Sequence, residues 1–323
     1  MPADTPKPPV AEVKPSPSPS ETNPPATPTE VKPTTATDDA ATPAAAPAAA
    51  PAPGPTEVPA EPAQPEVPPA ATAPQPAVCN PADFRIAIDV GHTETNYGAV
   101  SAHGVAEYEF NLRLAQELVQ ELWARKFRRA EIVTQVDSDL AKRARDLSSR
   151  RPNIMLSLHH DSVQDRYLTT GMLDGQMRTY TNGFHGYSIF ISRENAYLDD
   201  SERFAKLLGT EMRAQGNVLT PTDHHEVQEN RQPFDKPIGV YFYDGLAVLR
   251  QTTAPAVLLE SAVIADVSDE QKANDKAFRA HIVNAIVTAV SKFCDAVAAR
   301  AQTRTAPPPA AKPAASDKQG SRK

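Results

Sequence analysis

The chain has 323 residues, a formal net charge of −7 and 33 prolines. Between residues 81 and 300, 30 acidic side chains stand against 25 basic ones, which excludes the basic footprint of a nucleic-acid-binding domain. No run of 18 apolar residues is visible, so we expect no membrane span. The function classes that remain are a soluble enzyme and a soluble binding domain.

Prolines and aromatic residues divide the chain into three parts. Residues 1–80 hold 23 of the prolines and none of the 19 Phe, Tyr and Trp residues, and 301–323 also lack aromatics. Such segments bury too little apolar surface to offset the entropy of ordering their backbone. We therefore predict a disordered Pro/Ala-rich linker at 1–80, one folded domain at 81–300 and a disordered basic tail at 301–323.

The predicted strands and helices alternate along the folded part. FRIAIDV (84–90) is typical of a buried strand, and apolar residues recurring every four positions predict an amphipathic helix over about 105–127, with Glu107 in its first turn. Further on we predict strands at 131–136, 153–160, 186–192 and 255–260, and helices at 139–150, 199–214 and about 278–297; residues 240–249 are hard to assign. This alternation predicts a single α/β domain with a twisted, largely parallel sheet flanked by helices.

Three residues suited to metal chemistry stand where predicted strands end. His92 lies just past the first strand, His159 at the end of the third and Glu260 at the end of the last. Because open α/β sheets place their sites beyond the carboxyl ends of strands, we expect these three to converge on one rim.

A catalytic zinc takes three protein ligands and leaves a fourth position for water, and a further carboxylate must carry the proton to the leaving group. Each candidate also has an ordinary interpretation. His92 could be a loop histidine, and a carboxylate such as Glu107 is favoured at a helix start by the helix dipole. Glu260 is more telling, because a buried carboxylate is costly unless it is paired or bound to metal. In SLHHD, His159 and His160 face opposite sides of a strand, and spacing alone does not choose between them.

Six segments in order carry a resemblance to a known family. They are IDVGH (88–92), Gly98 with Ala99, GVAE (104–107), SLHHDS (157–162), AVLR (247–250) and PAVLLE (255–260). Together they resemble the zinc-dependent N-acetylmuramoyl-L-alanine amidase family, over roughly residues 84–295. The resemblance implies that His92, Glu107 and His159 bind one zinc ion and that Glu260 is the catalytic carboxylate.

The same resemblance implies hydrolysis of the amide between N-acetylmuramic acid and L-alanine, in wall remodelling or daughter-cell separation. Peptidoglycan is then the expected partner, and a protein activator is a further candidate partner. The expected location is the periplasm or cell envelope. Two rivals stay open. One is a zinc hydrolase of similar fold acting on small acyl amino acids or peptides, since motifs determine chemistry better than substrate. The other is a non-catalytic wall-binding protein.

Several positions depart from the family pattern or leave a choice. Val90 replaces a proline and Thr93 stands where a glycine is common, so the loop at His92 could differ in shape. His160 replaces a small residue and points into either the core or the cleft wall. Asp161 either holds His159 in its tautomer or caps the strand end.

Cysteine usage and the chain start bear on the compartment. Cys79 and Cys294 flank the predicted domain, and a disulfide between them and two free thiols are equal alternatives. MPADTPKPPV (1–10) has neither the charged start nor the apolar run of a signal peptide, and we expect that one was removed.

Two stretches look like local elaborations. Residues 163–185 suit a mobile loop beside the cleft, and the resemblance raises the hypothesis of a plug over the metal. The polar stretch at 223–226 is either a solvated loop or, as a less favoured alternative, the source of an extra metal ligand.

Overall fold

The structure, a computed structural model, describes residues 79–136, 138–222 and 231–305. Residues 1–78 of the linker predicted at 1–80, the polar stretch at 223–226 and residues 306–323 of the tail predicted at 301–323 lie outside these residues. Residues 301–305, predicted as part of the disordered tail, are helical. The described elements, in chain order, are β1 (Arg85–Val90), α1 (Glu107–Ala124), β2 (Arg129–Val133), α2 (Leu140–Ser149), β3 (Ile154–Asp161), β4 (Thr169–Leu173), β5 (Gln176–Tyr180), β6 (Ser188–Ile191), α3 (Leu198–Ala214), β7 (Gln232–Asp235), β8 (Val240–Phe242), α4 (Ala247–Gln251), β9 (Ala256–Val263), α5 (Val267–Asn274) and α6 (Lys276–Thr305).

Seven strands form one sheet in the order β2-β1-β3-β9-β6-β8-β7. The first four are parallel to one another, β6 is antiparallel to β9, β8 is parallel to β6, and β7 is antiparallel to β8. The prediction of a largely parallel sheet flanked by helices is confirmed. Because β1, β3 and β9 are adjacent, the residues near their carboxyl ends share one edge of the sheet.

The central strands are apolar on both faces because helices cover both sides. One cluster packs the sheet against α1, α3 and α6, and a second packs it beneath α2 and α4 through Leu147 and Leu249. In α1 the predicted stripe is buried, with Leu114, Leu118 and Leu122 at 0% exposure. Burying each such leucine stabilises the fold by about 1.5–3 kcal/mol. The stripe therefore orients α1 so that its first turn meets the sheet edge.

One helix in the described part of the chain, Lys276–Thr303 within α6, is long and apolar enough to cross a membrane, with a mean hydropathy of 1.5. The expectation of no membrane span missed it, because polar residues interrupt its apolar ones. Half of its apolar window is buried, and Ile282, Ile286 and Phe293 belong to the core. Since a buried core helix passes the same test, this is weak evidence for a span.

A disulfide joins Cys79, just before β1, to Cys294 on α6. Of the two alternatives for these cysteines, the structure has the bonded one. The bond links the start of the first strand to the last helix across a sequence separation of 215 residues. It therefore closes nearly the whole described chain into one covalent loop.

Four elements were not predicted from the sequence. These are the antiparallel hairpin of β4 and β5, the edge strand β7 and helix α5. Residues 240–249, which resisted assignment, divide between β8 and the start of α4. The prediction that Glu260 ends its strand was wrong, because β9 continues to Val263.

Candidate metal centre

His92 lies one residue beyond Gly91 at the end of β1, in a backbone conformation held by its surroundings. Its φ of 67° is in the left-handed region, which a residue with a side chain adopts at a cost of about 1–2 kcal/mol. Gly91 is needed because a Cβ there would lie 2.5 Å from the His159 ring. The turn thus brings the two imidazoles together, with ring centroids 5.0 Å apart.

A buried arginine on α2 holds this turn in place. Arg143 donates from Nε to Asp89 Oδ1 at 2.7 Å, and its other nitrogens donate to the carbonyl oxygens of Val90 and of His92, the latter at 3.2 Å. Ser157 donates to the second oxygen of Asp89 at 2.6 Å. Every group in this network is therefore paired, and the guanidinium grips the backbone on both sides of Gly91.

Glu107, the first residue of α1, bridges the two histidines. Its Oε2 lies 2.9 Å from His92 Nε2, and its Oε1 lies 3.0 Å from His159 Nδ1. The N–H of Ala99 donates to Oε2 at 3.0 Å, and Asn111 Nδ2, one turn along α1, donates to Oε1 at 3.1 Å. The carboxylate is 3% exposed and is held from several directions.

His160 faces away from this group. It is fully buried, and its Nδ1 donates to Asn111 Oδ1 at 2.7 Å, which leaves the amide of Asn111 to face Glu107. Burial lowers the pKa of His160 to about 4, so the ring is neutral at physiological pH. Of the two orientations considered for His160, the structure shows the core one.

Glu260 is the direct neighbour of His159 in the parallel pairing of β3 and β9. Paired residues on parallel strands project to the same face of a sheet, so both side chains stand at one site. The Glu260 Oε2 atom is buried and has no hydrogen-bond partner among the described residues. Such an oxygen is expensive to leave unpaired, which is typical of a group that interacts with a bound ligand.

The two carboxylates have opposite electrostatics. Burial by itself would raise the pKa of Glu107, but the hydrogen bonds and charges of His159 and His92 outweigh it and lower this pKa well below its usual range. Burial, together with the charges of Asp161 and Glu107, raises the pKa of Glu260 well above its usual range. Glu107 is thus an anion suited to a cation, and Glu260 is suited to carry a proton.

Asp161 ends β3 beside these groups. Its Oδ1 accepts the N–H of Ser162 at 2.9 Å, and its Oδ2 lies 3.2 Å from Arg231 Nη1. The first contact is a strand-end cap, one of the two roles considered for this residue. The other role, holding His159, stays a prediction.

The donor atoms of His92, Glu107 and His159 all lie within 4.8 Å of one another. Two imidazoles and one carboxylate, brought together from three elements, are a ligand set typical of catalytic zinc. The unpaired oxygen of Glu260 beside them suits a proton-carrying group next to the metal. These residues therefore fit a zinc ion.

Three residues that support this group were not predicted from the sequence, namely Asp89, Asn111 and Arg143. Each had a signal: all three are polar residues at positions that the apolar pattern of their strand or helix turns inward. Apart from Glu107, which is four residues from Asn111, their partners lie from 20 to 68 residues away along the chain. Only the folded structure shows which polar groups they meet.

Two cavities lie close to the group. One, of about 300 Å³, is lined by His92 and His159 together with apolar side chains such as Leu140 and Leu258. The other, of about 430 Å³, lies under the β4–β5 hairpin and is lined by residues that include Ala99 and Arg178.

Comparisons with known proteins agree with this geometry. The profile of a family described as N-acetylmuramoyl-L-alanine amidase matches residues 86–292. A comparison with curated protein sequences gives no match. Among solved structures, the chain is similar to the N-acetylmuramyl-L-alanine amidase Ami1 from Mycobacterium smegmatis, at 18% identity and a TM-score of 0.53, covering 67% of this chain and 99% of that one. It is also similar to an N-acetylmuramoyl-L-alanine amidase from Clostridium difficile 630, at 18% identity and a TM-score of 0.51, covering 66% and 98%. At such identities the structural matches show a shared fold.

Proposed function

Because the chain belongs to the N-acetylmuramoyl-L-alanine amidase family, we propose that it hydrolyses the amide between the lactyl group of N-acetylmuramic acid and L-alanine in peptidoglycan. The observation that carries this proposal is the meeting of His92, Glu107 and His159 beside Glu260. A chain that had lost the chemistry would have no reason to keep three ligands and a buried carboxylate together. This argues against a non-catalytic wall-binding protein.

In this proposal His92, Glu107 and His159 hold one zinc ion per domain. When bound, zinc supplies the Lewis acidity that makes water a nucleophile near neutral pH and polarises the scissile carbonyl. The contacts of Glu107 to the Ala99 amide and to Asn111 orient its carboxylate before any metal arrives. Such outer contacts raise metal affinity, because the ligands need not reorganise.

Glu260 is proposed as the group that moves the proton. Its raised pKa makes this carboxylate a stronger base than an ordinary glutamate, which suits it to take a proton from the attacking water and hold it. The amide nitrogen leaves poorly unless it is protonated, so Glu260 delivers the proton to the departing L-alanine nitrogen. Its place next to His159 keeps this carboxylate at the reacting bond.

The surroundings proposed for this activity are outside the cytoplasm. Peptidoglycan lies in the cell envelope, and the Cys79–Cys294 disulfide suits an oxidising compartment such as the periplasm. Residues 81–300 are then the catalytic domain, and the Pro/Ala-rich residues 1–80 a linker. A protein activator and a function in cell division belong to the same proposal.

The test is mass spectrometry of purified sacculi digested by the protein, beside a measurement of bound zinc. We expect free stem peptides that begin with L-alanine, and one zinc per chain. Glu260→Gln should keep the zinc and lower kcat by about 10²–10⁴-fold. Glu107→Gln should lose zinc, whereas Glu109→Gln, an exposed carboxylate in the same helical turn, should keep both zinc and activity. If the protein hydrolysed small acyl amino acids but left the sacculi undigested, the rival hydrolase would be favoured.

A further inference from the structure

The cavity under the β4–β5 hairpin borders the proposed metal centre through Ala99. Its lining includes Ala99, Ser162, Asp165, Met177, Arg178 and Thr179, and we call it the hairpin cavity. The N–H of Ala99 donates to Glu107 Oε2 at 3.0 Å. Ser162 follows Asp161, at the end of the strand that carries His159. A substrate extending from the reactive groups on this side would enter the hairpin cavity.

Arg178, on β5, is the cation of this lining. Its guanidinium lies against the backbone of Gly104, where φ is +87° and any side chain would collide with Nη1. Its Nη2 donates to the side-chain oxygen of Gln176. Among the residues that the structure describes, no carboxylate forms an ion pair with it, and Asp165 is the single acidic residue of the lining. The guanidinium is half-buried, so its field is screened less than that of an exposed arginine.

The hairpin that carries Arg178 is tied to the domain at its tip and its base. At the tip, His103 contacts Asp174 at 3.2 Å through Nε2 and Glu270 at 2.5 Å through Nδ1. At the base, the N–H of Thr181 donates to the carbonyl oxygen of Ala265 at 2.8 Å. These ties hold the strand, so the guanidinium has a defined place beside the site.

The proposed substrate is charged on one side of its scissile amide. The sugar side is neutral, whereas the stem peptide carries free carboxylates, the first of them on its second residue when that residue is linked through its side chain. The other cavity, which is lined by His92 and His159, is largely apolar, and its arginine, Arg143, is already paired with Asp89. Only the hairpin cavity, of the two close to the centre, offers a cation without a carboxylate partner.

We propose that the hairpin cavity is the stem-peptide subsite and that Arg178 binds the free carboxylate on the second residue of the stem. This deepens the proposed function and rests on it. A guanidinium matches a carboxylate with two parallel hydrogen bonds, which sets direction as well as affinity. The contact orients the substrate, so that the peptide leaves towards the hairpin and the glycan lies on the other side.

The experiment uses two muramoyl tripeptides that differ at one group, an α-carboxylate or a carboxamide on the second residue. We expect the wild-type zinc enzyme to prefer the acid. Arg178→Ala should raise KM for the acid by roughly 10- to 100-fold, as expected for a lost charge-assisted hydrogen bond, with kcat within about twofold. KM for the amide should not change. Arg178→Lys should retain part of the preference for the acid. Lysine keeps the positive charge but cannot form the two parallel hydrogen bonds of a guanidinium.

The matched control is Arg166→Ala, which removes the same charge from the segment just before β4. It should leave both KM values as they are. Equal effects of Arg178→Ala on acid and amide, or an effect of the control as large as that of Arg178→Ala, would overturn the subsite.

A binding measurement separates this proposal from the amidase activity itself. Calorimetry of the two tripeptides with the Glu260→Gln variant should show preference for the acid, and adding Arg178→Ala should abolish it. If the wild type cleaves neither peptide but binding still prefers the acid through Arg178, the amidase proposal fails and the subsite stands. If both peptides are cleaved with equal KM and bind equally, the subsite fails and the amidase proposal stands.

Discussion

The sheet edge that carries the metal ligands and the hairpin beside it are built in opposite ways. At the edge, His92 follows β1 in a turn and Glu107 begins α1, and buried groups such as Arg143 and Asn111 hold both by hydrogen bonds. The hairpin instead projects side chains into solvent, with Met172 and Met177 62% and 65% exposed, and is held at its ends. Catalytic groups must be held in a fixed geometry, whereas a surface that only contacts the substrate can be more adaptable. The difference assigns reaction to the edge and recognition to the hairpin.

The largest expected effect comes from breaking the rigid side at Arg143. Arg143→Met leaves the buried carboxylate of Asp89 without its ion-pair partner, and we expect the free energy of unfolding to fall by about 3–5 kcal/mol. The turn at His92 loses the hydrogen bonds that Arg143 donates to its backbone, so zinc affinity should fall as well. Urea denaturation and zinc titration measure the two effects. Arg145→Met, on an exposed position of the same helix, should change neither, and an equal loss there would contradict this role of Arg143.

Removing the disulfide tests the rigid side from its far end. Cys79→Ser with Cys294→Ser should lower the free energy of unfolding by about 2–5 kcal/mol, because the unfolded chain regains the freedom of a very long loop. Activity of the folded protein should be kept, since the bond joins the start of β1 to α6 and the ligands lie past its other end. Thermal melts with and without reductant check this. A double-serine protein that still responds to reductant would rule out the bond as the cause.

A smaller effect is expected at Asn111, which links Glu107 to His160. Asn111→Ala removes the donor to Glu107 Oε1 and the acceptor for His160, and should weaken zinc affinity by about 10- to 100-fold. Competition with a chelator measures this directly. Asn284→Ala, an exposed residue on α6, is the control. Unchanged zinc affinity in Asn111→Ala would show that Glu107 is held without it.

The smallest effect is expected on the adaptable side, at His103. Hydrogen bonding to Glu270 raises the pKa of His103 against the opposing effect of burial, with Asp174 adding to the rise. A folded-state pKa above the unfolded one means that the stabilisation is complete below pH about 6.5 and is lost as pH rises through the folded value. His103→Gln should therefore cost up to about 1 kcal/mol at pH 6 and less at pH 8.5. Denaturant unfolding at both pH values measures this cost, with His281→Gln as the control variant. A cost that grows as pH rises would contradict the prediction.

Much of the fold follows from local patterns, and its exceptions share a cause. β1, β3 and α1 were predicted within three residues at each end because apolar runs and stripes report burial. The β4–β5 hairpin was missed because most of its residues are exposed, so no apolar periodicity marks it. β9 was predicted too short, since Ser261 interrupts the apolar run while the strand continues to Val263.

The candidate site, like the fold, could be predicted in part from local sequence. The kinds of candidate residue and their positions near strand ends could be predicted, because they depend on neighbours along the chain. That β3 lies between β1 and β9, so that His159 meets Glu107 across 52 residues and stands beside Glu260, is visible only in the fold. The same is true of the contact of His160 with Asn111 and of the place of Arg178 in the lining of the hairpin cavity. Such contacts depend on which strands become neighbours, and that order results from packing the whole chain.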